Sequence, residues 1–174
     1  PNDPEVFNGL DDTDGCPDNG VLTIVGDEVQ FRDQIHFETD SAQIVDDATN
    51  RTILEQLTAL LNSRRDIEQV EIEGHTDERA PDDHNLQLSR DRANSVVQAL
   101  VGRGVAATRL VAAGYGELCP VDPRSNAEAW ARNRRVQFII TRTRVDGRTS
   151  ASVGCPRGRQ YIPASVGAPS RGDQ

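Results

Sequence analysis

The sequence has 174 residues, of which 36% are hydrophobic and 4% aromatic, so it predicts one domain of ordinary size with short appendages rather than a two-domain enzyme. Its formal net charge of -9 argues against a nucleic-acid ligand, because phosphate binding needs a basic face. No apolar run approaches the roughly 20 residues that span a bilayer, so we expect any membrane link to lie outside this sequence.

The acidic charge is concentrated in the N-terminal part. Residues 1–50 contain 13 of the 28 acidic residues and a single basic one, Arg32, whereas residues 51–174 contain 15 acidic and 18 basic residues. Residues 1–20 are rich in Asp, Asn, Gly and Pro and offer little to bury, so they predict an acidic arm. Because the sequence lacks Met and starts with Pro1, we expect a processed product or a fragment.

Hydrophobic periodicity predicts the elements that follow the arm. A hairpin with a turn at Gly26-Asp27 leads into a first strand, and apolar residues at helical spacing predict a helix over about residues 45–63. In the next strand, at 70–74, alternation places Glu71 and Glu73 outward.

After a polar loop at 75–84, helical spacing resumes, and Asn85 fits the N-cap position. A third strand, a short helix and a final strand follow at 109–116, 126–132 and 134–144. This β-α-β-α-β-(α)-β order predicts an α+β fold of two layers, with the helices on one face of a mixed four-stranded sheet and an N-terminal hairpin. We therefore expect an arm at 1–20, a domain at 21–145 and a tail at 146–174.

The segment with the most chemistry follows the second strand and reads Gly74-His75-Thr76-Asp77-Glu78-Arg79. A loop on such a rigid support can carry function. His75 and His84 bracket four carboxylates, which allows a metal site, but the spacing matches no H-E-x-x-H motif and no nucleophile has a neighbouring base. The alternative is a solvated acidic loop in which His75 satisfies backbone groups.

Three motifs carry a family resemblance: G-H-T-D at 74–77, N-x-x-L-S-x-x-R-A at 85–93 and N-R-R at 133–135, in that order. With them, residues 21–142 resemble the OmpA-like C-terminal domain, the peptidoglycan-binding module also found in peptidoglycan-associated lipoproteins and flagellar stator proteins. The residues that follow Thr76 are closest to the lipoprotein branch, although Ala80 stands where the family often has Gly.

The resemblance implies non-covalent binding of the diaminopimelate stem peptide, whose free end presents an ammonium and a carboxylate on one carbon. By the motif match, Asp77 supplies the anion and Arg92 the cation, and the planar fork of arginine suits a carboxylate. We expect both charges to be partly solvated, so that removing either costs little folding free energy. The alternative is an ordinary Asp77–Arg92 salt bridge that holds the loop to the helix.

The family pattern adds secondary contacts to this pair. Asn85 and Leu88 would line the peptide groove, and Arg134 would add a donor. Thr39 and Asp40 occupy the place where the family contacts the ligand through short polar groups, although Asp40 departs from the frequent Asn. Alternatively, Asn85 only caps the helix and Leu88 only packs.

The acidic arm resembles the end of a thrombospondin type 3 repeat, an aspartate-rich calcium-binding repeat. Asp12, Asp14 and Asp18, with a turn at Gly15, suit a hard cation that prefers oxygen ligands. Leu10 occupies what should be the first ligand position, so a merely solvated linker is the alternative.

The three cysteines lack the spacing of a zinc site. In the oxidising periplasm that the resemblance implies, we expect a disulfide between Cys119 and Cys155, which would pin the tail. Cys16 would then be left over, with its partner upstream of Pro1.

The sequence therefore predicts a non-enzymatic peptidoglycan-binding domain that anchors an outer-membrane or lipid-anchored protein to the cell wall, in the periplasm of a Gram-negative bacterium. The expected partner is peptidoglycan with a diaminopimelate stem, and no cofactor is required, with calcium in the arm as an optional metal. The rival hypothesis is a metal-dependent cell-wall hydrolase that uses His75, His84 and Asp77.

Overall fold

The structure is a computed structural model that describes residues 6–7, 22–145, 148–151 and 155. Within these residues the helices are α1 (Ala48–Ser63), α2 (Asp82–Val101) and α3 (Ala127–Asn133), and a 3-10 turn lies at Ala107–Arg109. The strands are β1 (Val6–Phe7), β2 (Leu22–Val25), β3 (Glu28–Phe31), β4 (Ile67–His75), β5 (Leu110–Gly116), β6 (Arg135–Val145) and β7 (Arg148–Ala151). No helix of this described part has the length and hydropathy needed to cross a membrane.

The strands form one sheet in the order β1-β2-β3-β6-β4-β5, and β7 pairs with the C-terminal part of β6. Strands β4 and β5 are parallel and the other pairs are antiparallel, so the sheet is mixed. The predicted α+β fold is confirmed, but the predicted count of four strands is wrong. The hairpin strand β2 belongs to the same sheet, and the short strands β1 and β7 join it through the backbone without an alternating apolar pattern that the sequence could have revealed.

The main core lies between the sheet and helices α1 and α2. On the strands it contains alternating residues such as Val70 and Ile72 of β4 and Phe138 of β6. The helix members recur at helical spacing, namely Ile53, Leu54, Leu57, Leu60 and Leu61 of α1 and Ala93, Val96, Val97 and Leu100 of α2. Both helices therefore bury their apolar stripes against the same face of the sheet, as predicted, and each such side chain contributes about 1.5–3 kcal/mol on burial.

Asp47 sets the start of α1, and Asn50 fixes the segment in front of it. The Asp47 carboxylate accepts the Asn50 N–H at 2.7 Å, which caps the helix so that it begins at Ala48. The fully buried Asn50 side chain accepts the His36 N–H and donates to the carbonyls of His36 and Val45. These bonds hold the segment between His36 and Val45 against the helix.

The opposite face of the sheet is covered at one point by Cys155, which is 5% exposed. Cys155 is bonded to Cys119 with their Cα atoms 6.0 Å apart, so the predicted disulfide is confirmed. The Cys155 N–H donates to Glu73 Oε1 at 3.0 Å. Glu73 was expected to face solvent but is 1% exposed, and this burial raises its pKa. Cys16 lies outside the described residues.

Helix α2 packs directly on β4 and β5 because two positions on these strands lack side chains. A Cβ atom added at Gly74 would overlap the Ser89 carbonyl of α2, and one added at Gly114 would overlap the Arg90 backbone. The two glycines are therefore required by the close approach of helix and sheet, and they set the position of every residue that α2 presents.

Gly114→Ala should lower the free energy of unfolding by about 1–3 kcal/mol or more, because the added methyl group meets helix backbone that cannot move alone. Gly102→Ala is the matched control, since Gly102 has a helical φ of -61° and its added Cβ would lie 3.4 Å from the nearest atom, Gln98 O. Urea denaturation measures both variants. Equal stability of the two would contradict the close packing of α2.

Candidate functional site

A pocket of about 770 Å³ opens at the C-terminal end of β4. Its walls are the segment at 34–40, the loop at 75–80, the first turns of α2 and the junction between α3 and β6. All seven residues that the sequence predicts to bind a ligand line it, namely Thr39, Asp40, Asp77, Asn85, Leu88, Arg92 and Arg134. The fold thus brings together groups that lie up to 95 residues apart in the chain.

The Asp77 carboxylate is the most constrained charge in this pocket. Its Oδ2 accepts bonds from Arg79 Nη2 at 2.8 Å and from Arg134 Nη1 at 2.7 Å, and its Oδ1 accepts the Arg79 N–H at 3.0 Å. Burial alone would raise the pKa of Asp77, but the hydrogen bonds from Arg79 and Arg134 outweigh it and lower the pKa to about 2. Asp77 is therefore an anion at neutral pH, held between two cations.

The relation between Asp77 and Arg92 differs from both sequence-based interpretations. Both residues lie in the described part and form no ion pair with each other, so the predicted alternative of a direct salt bridge is wrong. The expectation that Asp77 is partly solvated is also wrong, since Asp77 is only 6% exposed. Arg92 is half-buried, its Nε donates to Ser41 O at 2.9 Å, and its guanidinium lies 5.1 Å from the centroid of the Phe37 ring.

Arg79 is the pocket residue that the sequence-based reasoning missed. Its side chain is 52% exposed, and its guanidinium carbon lies 4.6 Å from the centroid of the Trp130 ring while its Nη2 bonds to Asp77. The Trp130 Nε1–H in turn donates to Glu78 Oε1 at 3.2 Å. The D-x-R spacing of Asp77 and Arg79 was the available signal, because it allows the aspartate to accept both the backbone and the side chain of the arginine.

The sequence suggested that Asn85 caps α2, but this is wrong because the helix begins three residues earlier, after Pro81. Asn85 lies in the first turn and is 3% exposed, and its Nδ2 donates to Asp77 O at 2.9 Å and to Ala80 O at 3.0 Å. These two bonds hold the backbone of the loop at Asp77 and at Ala80 against the first turn of α2. Leu88, one turn further along, is half-buried and faces the same pocket.

Asp40 closes the opposite wall of the pocket. Its φ of 50° is left-handed, a conformation that Asp and Asn tolerate better than most residues, which explains how Asp40 can stand where the family often has Asn. Its Oδ1 lies 2.9 Å from His84 Nε2, so the segment at 36–45 contacts the first turn of α2. Thr39 lies beside it on the pocket wall.

His75 and His84 do not form a metal centre with Asp77. His75 is 2% exposed and its Nε2 lies 3.1 Å from Glu73 Oε2, whereas His84 pairs with Asp40. Burial lowers the pKa of His75 to about 3, so it is neutral at pH 7. In the described ranges, no group of three or more His, Cys, Asp or Glu residues could hold a metal ion, and the hydrolase alternative is not supported. The calcium ligands predicted in the arm lie outside these ranges.

A family model described as the OmpA family matches residues 36–134. A peptidoglycan-associated lipoprotein of Mesorhizobium japonicum is 38% identical over 113 residues, which cover 65% of this chain and 66% of that protein. Outer membrane porin F of Pseudomonas fluorescens is 48% identical over 71 residues, which cover 41% of this chain and 22% of the porin. The chain thus spans less than two thirds of each of these relatives.

Among solved structures, the fold resembles the crystal structure of the peptidoglycan-associated lipoprotein from Burkholderia pseudomallei. The two share 31% sequence identity with a TM-score of 0.55, and the superposed region covers 61% of this chain and 87% of that chain.

Asp77→Asn should lower the free energy of unfolding by about 1–3 kcal/mol at pH 7, because it weakens charge-assisted bonds to two arginines. The pKa of Asp77 is about 2 in the folded protein against a usual value of 3.8, so its stabilisation is fully present above pH 3.8 and is lost as the pH falls towards 2. Chemical denaturation should therefore show a difference between the proteins that shrinks in acid.

Asp46→Asn is the control for this measurement, since the Asp46 side chain is 88% exposed and pairs with Arg51 only at the surface. An Asp77→Asn protein as stable at pH 7 as this control would contradict the role given to the two arginines.

Proposed function

Since the chain belongs to the OmpA family over residues 36–134, we propose that it binds peptidoglycan non-covalently and anchors an outer-membrane protein to the cell wall. The observation that carries this proposal is the single pocket that contains both Asp77 and Arg92 together with the five predicted secondary residues. Relatives named peptidoglycan-associated lipoprotein support peptidoglycan as the ligand.

The ligand group we propose is the free end of the diaminopimelate stem, which carries an ammonium and a carboxylate on one carbon. Arg92 suits the carboxylate, because its Nε donates to Ser41 O while its two terminal nitrogens have no partner among the described residues and can form a forked pair. The Phe37 ring beneath the guanidinium orients it further. Asp77 suits the ammonium because it stays ionised at every physiological pH.

Binding the ammonium requires an exchange of cations on Asp77. In the free domain Oδ2 accepts bonds from two arginines and the Asp77 side chain is only 8% exposed, so an ammonium reaches this oxygen when one of the arginines moves away. Arg79 is the one we expect to leave, because its side chain is 52% exposed against 41% for Arg134. Contact with the Trp130 ring can retain the displaced guanidinium at the rim of the pocket.

The rest of the functional proposal concerns the cell. The names of the relatives support a location in the periplasm of a Gram-negative bacterium, in association with the outer membrane. Peptidoglycan binding of this kind needs no cofactor, and calcium binding by Asp12, Asp14 and Asp18 remains a prediction for the arm.

Arg92→Ala should reduce binding to purified sacculi about 30-fold to several-thousand-fold, because a buried ligand carboxylate would lose its partner at a cost of about 2–5 kcal/mol. Arg103→Ala is the control, since Arg103 lies beyond the far end of α2 and its side chain donates only to Ala99 O. A pull-down with sacculi, with a thermal melt to verify folding, measures both. Normal retention of a folded Arg92→Ala protein would refute the site.

Arg79→Gln should strengthen sacculus binding about twofold to fivefold, because the ligand ammonium no longer has to displace the Arg79 guanidinium from Asp77. An exposed ion pair is worth up to about 1 kcal/mol, which corresponds to a change of this size. Arg124→Gln is a matched control with the same D-x-R geometry, in which Arg124 Nη2 lies 2.6 Å from the buried Asp122 carboxylate outside the pocket. Weaker binding by Arg79→Gln would mean that this arginine contacts the ligand rather than competing with it.

A further inference from the structure

The end of the sheet opposite the pocket carries a cluster of arginines, which we call the basic pole. Four arginines and one glutamate line a shallow cavity of about 350 Å³ there, namely Arg65, Glu68, Arg109, Arg142 and Arg144. Strand β4 connects the two ends, with Glu68 at the basic pole and His75 at the pocket. Seven residue steps along a strand separate the two sites by about 23 Å.

Two of the four arginines are used by the fold. Arg109 donates to the carbonyls of Leu61, Arg64 and Ile67, so it satisfies the end of α1 and the start of β4. Arg144 pairs with Glu68 at 2.7 Å.

The other two arginines, Arg65 and Arg142, are exposed, and their side chains have no hydrogen bond or ion pair within the part of the chain that the structure describes. Their charges face the same cavity as Arg109, whose pKa is lowered by burial and by repulsion from Arg65. Among the described residues, the basic pole therefore holds two cations that no acidic side chain pairs with, which is the condition for an anion-binding surface.

We propose that the basic pole binds the phosphate groups of an anionic membrane surface. Guanidinium forks match phosphate oxygens in pairs, and two unpaired forks beside one cavity supply such a site. Val145, next to Arg144 at the end of β6, is 57% exposed, and an apolar side chain among arginines suits the boundary between headgroups and acyl chains. The proposal rests on the proposed function for its orientation, in which the pocket faces the wall and the opposite end faces the membrane.

The formal net charge of -9 does not by itself oppose this contact. Seven of the 13 acids in residues 1–50 lie in the part that the structure describes, and none of these seven lines the basic pole. At physiological ionic strength, charges more than about 8 Å away are largely screened, so the local arginines decide the interaction with a surface.

Vesicle co-sedimentation of the whole chain tests the proposal. Vesicles rich in phosphatidylglycerol should bind the protein, vesicles of phosphatidylcholine should not, and binding should fall steeply with added salt. The double variant Arg65→Gln/Arg142→Gln should bind the anionic vesicles about 30-fold more weakly. Arg51→Gln is the control, because Arg51 is 52% exposed and lies in the first turn of α1, away from the basic pole.

Several results would overturn the proposal. One is equal vesicle binding by the double variant and the Arg51→Gln control, and another is equal binding to neutral and anionic vesicles. A third is binding of inorganic phosphate or poly-glutamate without binding of vesicles, which would assign the surface to a free anion or an acidic protein. Sacculus binding should be unchanged in the double variant. Loss of sacculus binding in Arg92→Ala with vesicle binding intact therefore separates the pocket from the basic pole.

Discussion

The position of the whole pocket depends on one steric constraint, the contact between the backbone of α2 and the backbones of β4 and β5. That contact exists because Gly74 and Gly114 present no side chain to the helix. Gly74 is three residues before Asp77, and the helix residue it touches, Ser89, is three residues before Arg92. The same contact that packs the helix therefore fixes how far apart the two opposite charges of the pocket lie, and packing and recognition cannot be varied independently.

The Asp77 carboxylate has charged partners before any ligand enters the pocket. Burying a carboxylate without partners is costly, and at Asp77 two arginines supply the compensation. In the proposed binding mode, the ligand ammonium takes the place of Arg79 and the ligand carboxylate pairs with Arg92. A peptide end that carries only one of these charges would make only one of the two contacts, so the proposed mode favours a zwitterion.

Local sequence patterns predicted the helices and strands and many of the residues that line the pocket. This was possible because the helices and strands have periodic apolar residues and most of the predicted pocket residues belong to short motifs. The alternation in β6 and the helical spacing in α1 predicted their positions within a few residues, and the three motifs contain five of the seven predicted residues that line the pocket. The ligand-binding roles of those residues remain predictions.

What the sequence did not predict comes from contacts between distant segments. Glu73 alternates as a solvent-facing residue would, but Cys155, 82 positions away, lies against it and donates its backbone N–H to the Glu73 carboxylate. Asn85 has the residue type of an N-cap, but the bonds it makes to the loop carbonyls place it inside the first turn. Arg79 belongs to an exposed loop in the sequence, and only the fold shows that it shares Asp77 with Arg134.

The stacking of Arg79 on Trp130 has a consequence for how the pocket can be observed. The chain contains one tryptophan, so its tryptophan fluorescence arises from a single indole ring, which contacts the pocket residue Arg79. Indole emission responds to a nearby positive charge, and the guanidinium that lies 4.6 Å from this ring belongs to the side chain that the proposed function expects to move when a ligand enters. In the proposed binding mode, tryptophan emission should therefore change when the pocket is occupied, without any added label.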